Sequence, residues 1–482
     1  MSVKIIPPLE RYEFLVAAAQ TVWGKAALLA VFSALLWVGG KSWWMEFGVI
    51  AAFTTYSPTW RRAVILLGTV YWLVNYTWFD REAAADIFIQ LDVQGALDWW
   101  RVWTGAFGAA FIYLGAFYLL AWRLQERRIV WHPVAAFVGV YGAMLASVEL
   151  LPVSAAWQAS AWVFVIVVGQ YVWFFCYSLI DLQTARPTAL WRQAGFWLPF
   201  WQGTVNTATP LPKGAAYLNR IEAQDDRSLA VTQLKAIKLL LWALLLSGVY
   251  WLYKAVVYGD PAIGVVSLEI PTLRQAIAAS AAGRPESWYV NWTALLANFF
   301  RDILQLAVWG HMVIACARFV GFAALRNTYR PLASRTIAEF WNRYYYYFKE
   351  LLAECFFYPV YLRFFKKNPK LRVFAAVFAA AGVGNFLYHF FRDVEYIADH
   401  GFWPALYDFR VYLFYVTVLS VGIAVSMLRS LSGAARSSST SARWRGPLTV
   451  LSFYAVLSIF DDPDRSLSFT DHVIFAGRLV GL

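Results

Sequence analysis

Long apolar runs, broken at intervals by short polar connections, follow one another along almost the whole chain. A helix that crosses a bilayer needs about 20 mostly apolar residues. Runs near that length fall at about 22–39, 43–58, 63–79, 102–122, 129–151, 156–181, 236–257, 290–324, 372–391, 405–428 and 447–461. The second and the last are short, and the eighth is long enough for one tilted helix or for a helix with a break. The pattern predicts an all-α, polytopic integral membrane protein with about eleven transmembrane helices plus re-entrant or interfacial segments.

The connections alternate in charge. Arg61 and Arg62 and the stretches 123–128, 186–235, 326–335, 363–372 and 429–445 are basic, whereas 80–98, 149–157, 260–286 and 393–408 are acidic or nearly neutral. Positive loops favour the cytoplasmic side, so the alternation predicts a cytoplasmic N-terminus. Residues 465–482 are too polar to span and are expected along the outer surface. Two segments break the rhythm. The stretch 194–223 carries Trp197, Pro199, Trp201, Pro210 and Pro212, too apolar for a free loop and too rich in proline for a helix. The stretch 338–365 is aromatic and partly charged, and it includes Glu339, Phe340, Trp341, Asn342, Arg343 and four consecutive tyrosines from Tyr344. Irregular backbone at membrane depth is tolerated only where it is buried in protein or lines a cavity, so both are expected to line one. The Ser-, Gly- and Ala-rich stretch 430–441 reads as a flexible cytoplasmic loop. No internal repeat is visible, which weighs against a transporter built from inverted halves.

Composition agrees with this pattern. The chain is 60% hydrophobic and 15% charged with a mean hydropathy of +0.51, against about half and about a quarter for soluble domains. Its 482 residues therefore read as a single membrane domain (1–482) and not as several soluble ones. The 26 tryptophans suit membrane interfaces or the walls of an acyl channel. The formal charge of +12 is spread over short clusters between apolar runs, which follows the positive-inside rule and gives no expectation of a nucleic-acid partner. Cys176, Cys316 and Cys355 have neither zinc nor disulfide spacing, and no metal is expected. Glu10, Arg11, Glu13 and Lys25 interrupt the N-terminal stretch, so no cleaved signal peptide is expected.

Two of the five histidines, His311 and His389, fall inside apolar runs. On a helix, Asn385 lies one turn before His389 and Asp393 one turn after, on the same face. Such a polar stripe is costly in lipid and should face the bundle interior or a wet channel. From position alone a catalytic and a structural histidine are equally good readings. His132 and His400 read as interfacial, and His472, near the end, carries no signal. The eighth run holds Asn291, Asn298, Arg301, Asp302, Gln305, His311 and Arg318. Arg301 and Asp302 read either as a buried ion pair or as cavity-lining groups, and for the set as a whole helix packing is the simpler reading.

From Asn298 onward the order of motifs resembles the core of the membrane-bound O-acyltransferase (MBOAT) family, in particular its bacterial polysaccharide-O-acetyltransferase and wax-synthase-like branches. A span ending in Gly310 and then Arg318, Phe319, Val320, Gly321 and Phe322 is followed by Asn327, Thr328, Tyr329, Arg330 and Pro331. Next, Thr336 and Phe340-Trp341-Asn342-Arg343 resemble the family's Ser-x-x-x-Phe-Trp-x-Arg segment, Tyr358-Pro359 resembles its Tyr-x-Pro turn, and Phe386-Leu387-Tyr388-His389 resembles its Gly-x-Trp-His. The resemblance covers about a hundred residues. It divides the domain into N-terminal helices (1–257), an MBOAT-like core (290–393) and C-terminal helices (405–482).

The resemblance implies a multi-pass enzyme of the bacterial inner membrane. It would move an acyl group from a thioester, acyl-CoA or an acyl carrier, to a hydroxyl of a glycan or a lipid, with no bound cofactor. His389 is then the general base, Asn385, Tyr345 and Tyr346 are further catalytic candidates, and Trp341, Arg343 and Arg318 are substrate-binding candidates. The donor would enter through a cytoplasmic mouth, with the basic stretch 363–372 holding its phosphates. Membrane lipid and a periplasmic or membrane protein are the expected partners. The family's second polar site residue, His or Asn, falls where this chain has Tyr345 and Tyr346. A non-catalytic MBOAT-like scaffold in a larger complex is therefore the competing reading, and a transporter the third.

Overall fold

Helix ends in this chain are set by polar side chains at the edges of the apolar runs. A computed structural model describes residues 5–75, 86–89, 91–93, 99–126, 132–184, 186–197, 199–201, 214–259, 266–431, 440–462 and 465–482. The helices in chain order are α1 (Glu13–Gln20), α2 (Val22–Val38), α3 (Trp44–Tyr56), α4 (Arg61–Asn75), α5 (Trp99–Glu126), α6 (Pro133–Ser147), α7 (Ala155–Asp181), α8 (Gly214–Ile221), α9 (Asp226–Lys254), α10 (Leu273–Ala281) and α11 (Trp288–Phe319). After these come α12 (Ile337–Tyr344), α13 (Tyr346–Leu352), α14 (Tyr358–Arg363), α15 (Pro369–Val377), α16 (Asn385–Arg392), α17 (Val394–His400), α18 (Phe402–Asp408), α19 (Arg410–Leu431), α20 (Thr440–Leu457) and α21 (Phe469–Arg478). Asp225, Thr272 and Ser468 open α9, α10 and α21 with reciprocal capping boxes, and Asn368 caps α15 just ahead of Pro369. Among the described residues there is no β-strand, only one antiparallel bridge between Glu222 and Phe322.

Among the described residues, seven helices are long and apolar enough to cross a membrane: Arg101–Leu124, Pro133–Leu150, Ala155–Asp181, Asp226–Gly259, Trp288–Phe319, Pro369–Arg392 and Arg410–Leu431. The pair α1 and α2, bent by 102° at Thr21, makes an eighth if it counts as one span. The bend is locked locally, because Thr21 Oγ1 donates to the Ala18 carbonyl at 2.7 Å and accepts from the Gly24 amide at 3.0 Å. The eighth apolar run proves to be one unbroken helix of 32 residues, α11. Runs 43–58 and 447–461 become shorter helices, α3 and Gly446–Phe460. Run 63–79 becomes α4 as far as Asn75, and its remainder lies outside the described residues.

Helix α7 is the most buried of the spans, and α9 packs along α11 over much of its length. Lipid tails are as apolar as leucine, so such pairs are held by close packing and a few interhelical polar bonds. Gln233 of α9 supplies two, donating to Thr55 Oγ1 of α3 at 2.9 Å and to the Phe319 carbonyl of α11 at 3.2 Å. Large apolar side chains such as Trp23, Ile112 and Trp157 remain exposed on the outer helix faces, where a lipid surround would cover them.

Two expectations change. The described part of 194–223 lines neither cavity reported below; Trp197 instead packs inward and donates to Ser178 Oγ of α7 at 3.0 Å. Pro210 and Pro212 lie outside the described residues, as does most of the Ser-rich stretch, 432–439. The C-terminal segment does not lie alone on a surface, because α21 buries Phe475 and Leu479 against Leu273, Ala276 and Ile277 of α10.

Candidate functional site

Two cavities lie end to end in the C-terminal half. The larger, about 620 Å³, takes Asn385, His389 and Arg392 from α16 and Tyr412 and Tyr415 from α19. The smaller, about 300 Å³, takes Val377, Ala380 and Ala381 from the same span and Ile423 and Met427 from α19. The two spans run antiparallel, with Tyr412 bonded to Asn385 and Ser420 against Gly382, so the cavities are stacked along the helix axes. Trp341 of α12 belongs to both walls. The chain from Pro369 to Arg392 does not stay α-helical between them, since Phe378–Gly384 widens into π-helix, a local bulge often met at functional sites. Gly384 is required there, because a Cβ would lie 2.5 Å from the Phe356 ring of a second π-helical stretch, Ala353–Phe357.

The larger cavity lies at the Arg392 end of the span, away from the basic stretch 363–372. That end is lined by Leu273, Arg274 and Ile277 of α10, by Asp461, Asp462, Arg465 and Leu467, and by His472 of α21. The polar stripe expected on α16 is present, with Asn385, His389 and Asp393 all facing the same space. His389 is half-buried, and its imidazole makes no hydrogen bond among the described residues. Its ring lies 4.7 Å from Tyr412 and 5.9 Å from Phe348, centroid to centroid. Asn385 is buried and accepts the Tyr412 hydroxyl on Oδ1 at 3.0 Å, which leaves its amide N–H groups to donate elsewhere.

Charge in this cavity is mostly neutralised in place. Arg301 pairs with Asp302 at 2.8 Å, and Asn298 adds a 2.9 Å bond to the same carboxylate, so this pair is at once an ion pair and a cavity wall. Asp393 takes both Arg392, at 2.8 Å, and Arg465. The Arg465 guanidinium also lies 4.2 Å from the Tyr396 and Phe409 rings; burial and the neighbouring Arg392 pull it down to about 10, so it is still a cation at neutral pH. Asp462 faces His472 at 3.6 Å, and neither Asp462 Oδ2 nor His472 Nε2 has a hydrogen-bond partner among the described residues. Asp461 makes no ion pair and accepts no hydrogen bond among the described residues. Its side chain is exposed, but to the cavity, and enclosure by protein, followed by the nearby Asp302, pushes its carboxyl up to about 6. No group of three or more His, Cys, Asp or Glu side chains among the described residues is arranged to hold a metal ion.

The segment 338–365 is helical where irregular backbone was expected. Helices α12 and α13 meet at Tyr345, and Phe340, Trp341, Tyr344, Tyr345 and Phe348 line the larger cavity while Asn342 and Lys349 line the smaller. Of the candidates from sequence, His389, Asn385, Tyr345 and Trp341 are thus brought together. Tyr346, Arg343 and Arg318 line neither cavity. Tyr346 lies beneath the Lys349 ammonium, 5.0 Å from its ring centre; Arg343 pairs with Glu339 at 2.6 Å; and Arg318 donates twice to the Ala324 carbonyl, closing the end of α11. His132 caps α6, His311 is buried inside α11, and His400 stacks on Tyr396 at 4.1 Å. Sequence reading passed over Asp461, Asp462, His472, Tyr412, Tyr415 and Tyr454. The one local signal was a pair of aspartates directly after a weak apolar run. Compared with protein-family models and with curated proteins, the chain matches none.

Proposed function

We propose that this protein is a membrane O-acyltransferase of the bacterial inner membrane, moving an acyl group from a thioester to a hydroxyl of a glycan or lipid acceptor. The observation that carries the reading is His389, an imidazole without a hydrogen bond among the described residues, in a cavity whose wall, Trp341, is shared with a second cavity on the side of the basic loop. His389 would take the proton of the acceptor hydroxyl as its oxygen attacks the thioester carbonyl carbon. The tetrahedral oxyanion would receive an N–H from Asn385, and its collapse would expel the thiolate of acyl-CoA or an acyl carrier. Under this reading the donor approaches through the smaller cavity from the cytoplasm and the acceptor through the larger one from outside. Counting α2, α3, α4 and α20 with the long helices brings the spans to about eleven, with the N-terminus in the cytoplasm.

A general base contributes about 10²–10⁴-fold, so His389→Ala should lower acyl transfer by about 10²-fold or more with an unchanged melting temperature. Normal transfer in a well-folded His389→Ala protein would overturn the mechanism. One observation favours a second reading, a non-catalytic scaffold that binds a periplasmic or membrane protein: Tyr345 lines the cavity where the resembled family has His or Asn. Absence of transfer by the unmutated protein with both acyl-CoA and acyl-carrier donors would make that reading the better one.

A further inference from the structure

Among the described residues, Asp461 is a cavity-lining carboxylate that makes no ion pair. Arg301 is taken by Asp302, while Arg392 and Arg465 are taken by Asp393. Asp461 is paired with none of these cations, Arg392 reaching it only electrostatically, and it faces the cavity. Behind it Asp462, with a side chain only 8% exposed, presents Oδ2 to His472 Nε2 at 3.6 Å and has no hydrogen bond to it among the described residues. A buried acceptor left open in this way is costly unless a ligand satisfies it.

The wall around these carboxylates is aromatic. Asp461 is near enough to interact electrostatically with the phenols of Tyr344, Tyr412 and Tyr415. Tyr412 and Tyr415 stack with centroids 5.3 Å apart, and on the other side Phe340 stacks on Tyr454 at 4.1 Å and on Tyr344 at 5.2 Å. Carboxylate and aromatic faces together make the environment that selects ammonium groups, because the ring quadrupole and the anion both attract a cation that sheds some of its water. A neutral hydroxyl would gain from the same carboxylate only a hydrogen bond.

We propose that the larger cavity contains an ammonium-binding subsite, formed by Asp461 with Asp462 behind it and walled by Tyr344, Tyr415 and Tyr454, for an acceptor carrying an amine close to its hydroxyl. Tyr412 links this subsite to His389, its ring touching Tyr415 on one side and the imidazole on the other. The assignment names the acceptor class under the acyl-transfer reading, but binding requires no transfer, so the two stand or fall separately. An amino sugar and an ethanolamine headgroup share the recognised chemistry.

The test is direct binding to the full chain in detergent micelles, measured by calorimetry without any thioester. Glucosamine and ethanolamine are the probes, and N-acetylglucosamine and ethylene glycol are their uncharged counterparts. The amines should bind saturably and at least about tenfold more tightly than the uncharged partners. A preference for glucosamine would identify an amino-sugar acceptor, and one for ethanolamine a lipid headgroup. Asp461→Asn should weaken amine binding by about tenfold or more and leave the uncharged partners unaffected. Tyr415→Leu should weaken it by about threefold or more, whereas Tyr415→Phe, which keeps the ring, should not; this pair tests the subsite if Asp461→Asn fails to fold. Equal affinity for charged and uncharged probes, or undiminished amine binding in a folded Asp461→Asn or Tyr415→Leu protein, would overturn the proposal.

Discussion

Asp461 couples the cavity to pH. The titratable and charged groups that share its cavity are Arg274 from α10, Arg301 and Asp302 from α11, Tyr344 and Tyr345 at the end of α12, His389, Arg392 and Asp393 from the span of α16, Tyr412 and Tyr415 from α19, Tyr454 from α20, and Asp462, Arg465 and His472 from the C-terminal segment. Burial, then Asp302 and Asp462, push its carboxyl up to about 6, while Arg392 works the other way. A carboxyl raised on folding favours the protonated protein. Its contribution to stability is full below the ordinary aspartate range and is lost as pH rises through about 6. An ammonium ligand reverses this preference by pairing with the ionised form. The melting temperature gained on adding glucosamine or ethanolamine should therefore be larger at pH 7.5 than at pH 5, and Asp461→Asn should remove the difference. A gain independent of pH in the unmutated protein would show that Asp461 is not the group that meets the amine.

At the scale of elements, the far end of the molecule is tied by a charged cluster and not by apolar packing alone. Arg61 and Arg62 open α4, and both are buried. Glu222, just after α8, accepts from Arg62 at 2.8 Å and lies 3.5 Å from Arg61, whose Nη1 also donates to the Ala223 carbonyl at 2.8 Å. Asn219 takes a further 2.6 Å bond from Arg62. One carboxylate thus serves two buried guanidiniums. The backbone at Glu222 also forms the bridge to Phe322, which joins α8 to the end of α11. Removing one partner of a buried pair leaves the other uncompensated, at about 3–5 kcal/mol. Glu222→Gln should lower stability by about that amount in thermal unfolding, and adding Arg62→Gln should restore part of it. Additive losses in the double variant would mean the cluster does not hold these elements together.

At the scale of the whole molecule, the stacked cavities give the two faces of the membrane different roles only if the chain is oriented as its loop charges imply. The native cysteines, Cys176, Cys316 and Cys355, are all buried, so they give little background to a labelling experiment. Trp403 and Lys367 are both exposed and lie at opposite ends of the Pro369–Arg392 span. A membrane-impermeant maleimide added to intact cells stripped of their outer membrane should label a cysteine placed at Trp403 and spare one placed at Lys367. The reverse pattern would turn the larger cavity toward the cytoplasm and exchange the proposed donor and acceptor sides.

Much of this was legible along the chain because it depends on near neighbours. Helices and their apolar lengths follow from runs of local composition, and the Asn385, His389 and Asp393 stripe follows from helical spacing alone. The pairing of Arg301 with Asp302 was open for the same reason, since the two are adjacent. Arg343 and Arg318 are held by the nearest acceptors, Glu339 one turn away and the Ala324 carbonyl just past the helix end, because a long cationic side chain reaches those first. What the tertiary structure decided is which distant helices share a space. Tyr412 and Tyr415 share α19, but Tyr454 lies on α20 and Asp461 beyond its end, with no common period, and His472 gave no signal where it stands in the chain. They converge because α19, α20 and α21 pack around α10, α11 and α16. In lipid that convergence is governed by side-chain fit and a few polar bonds between helices, terms that depend on both partners at once and leave no repeating mark in either strand of sequence.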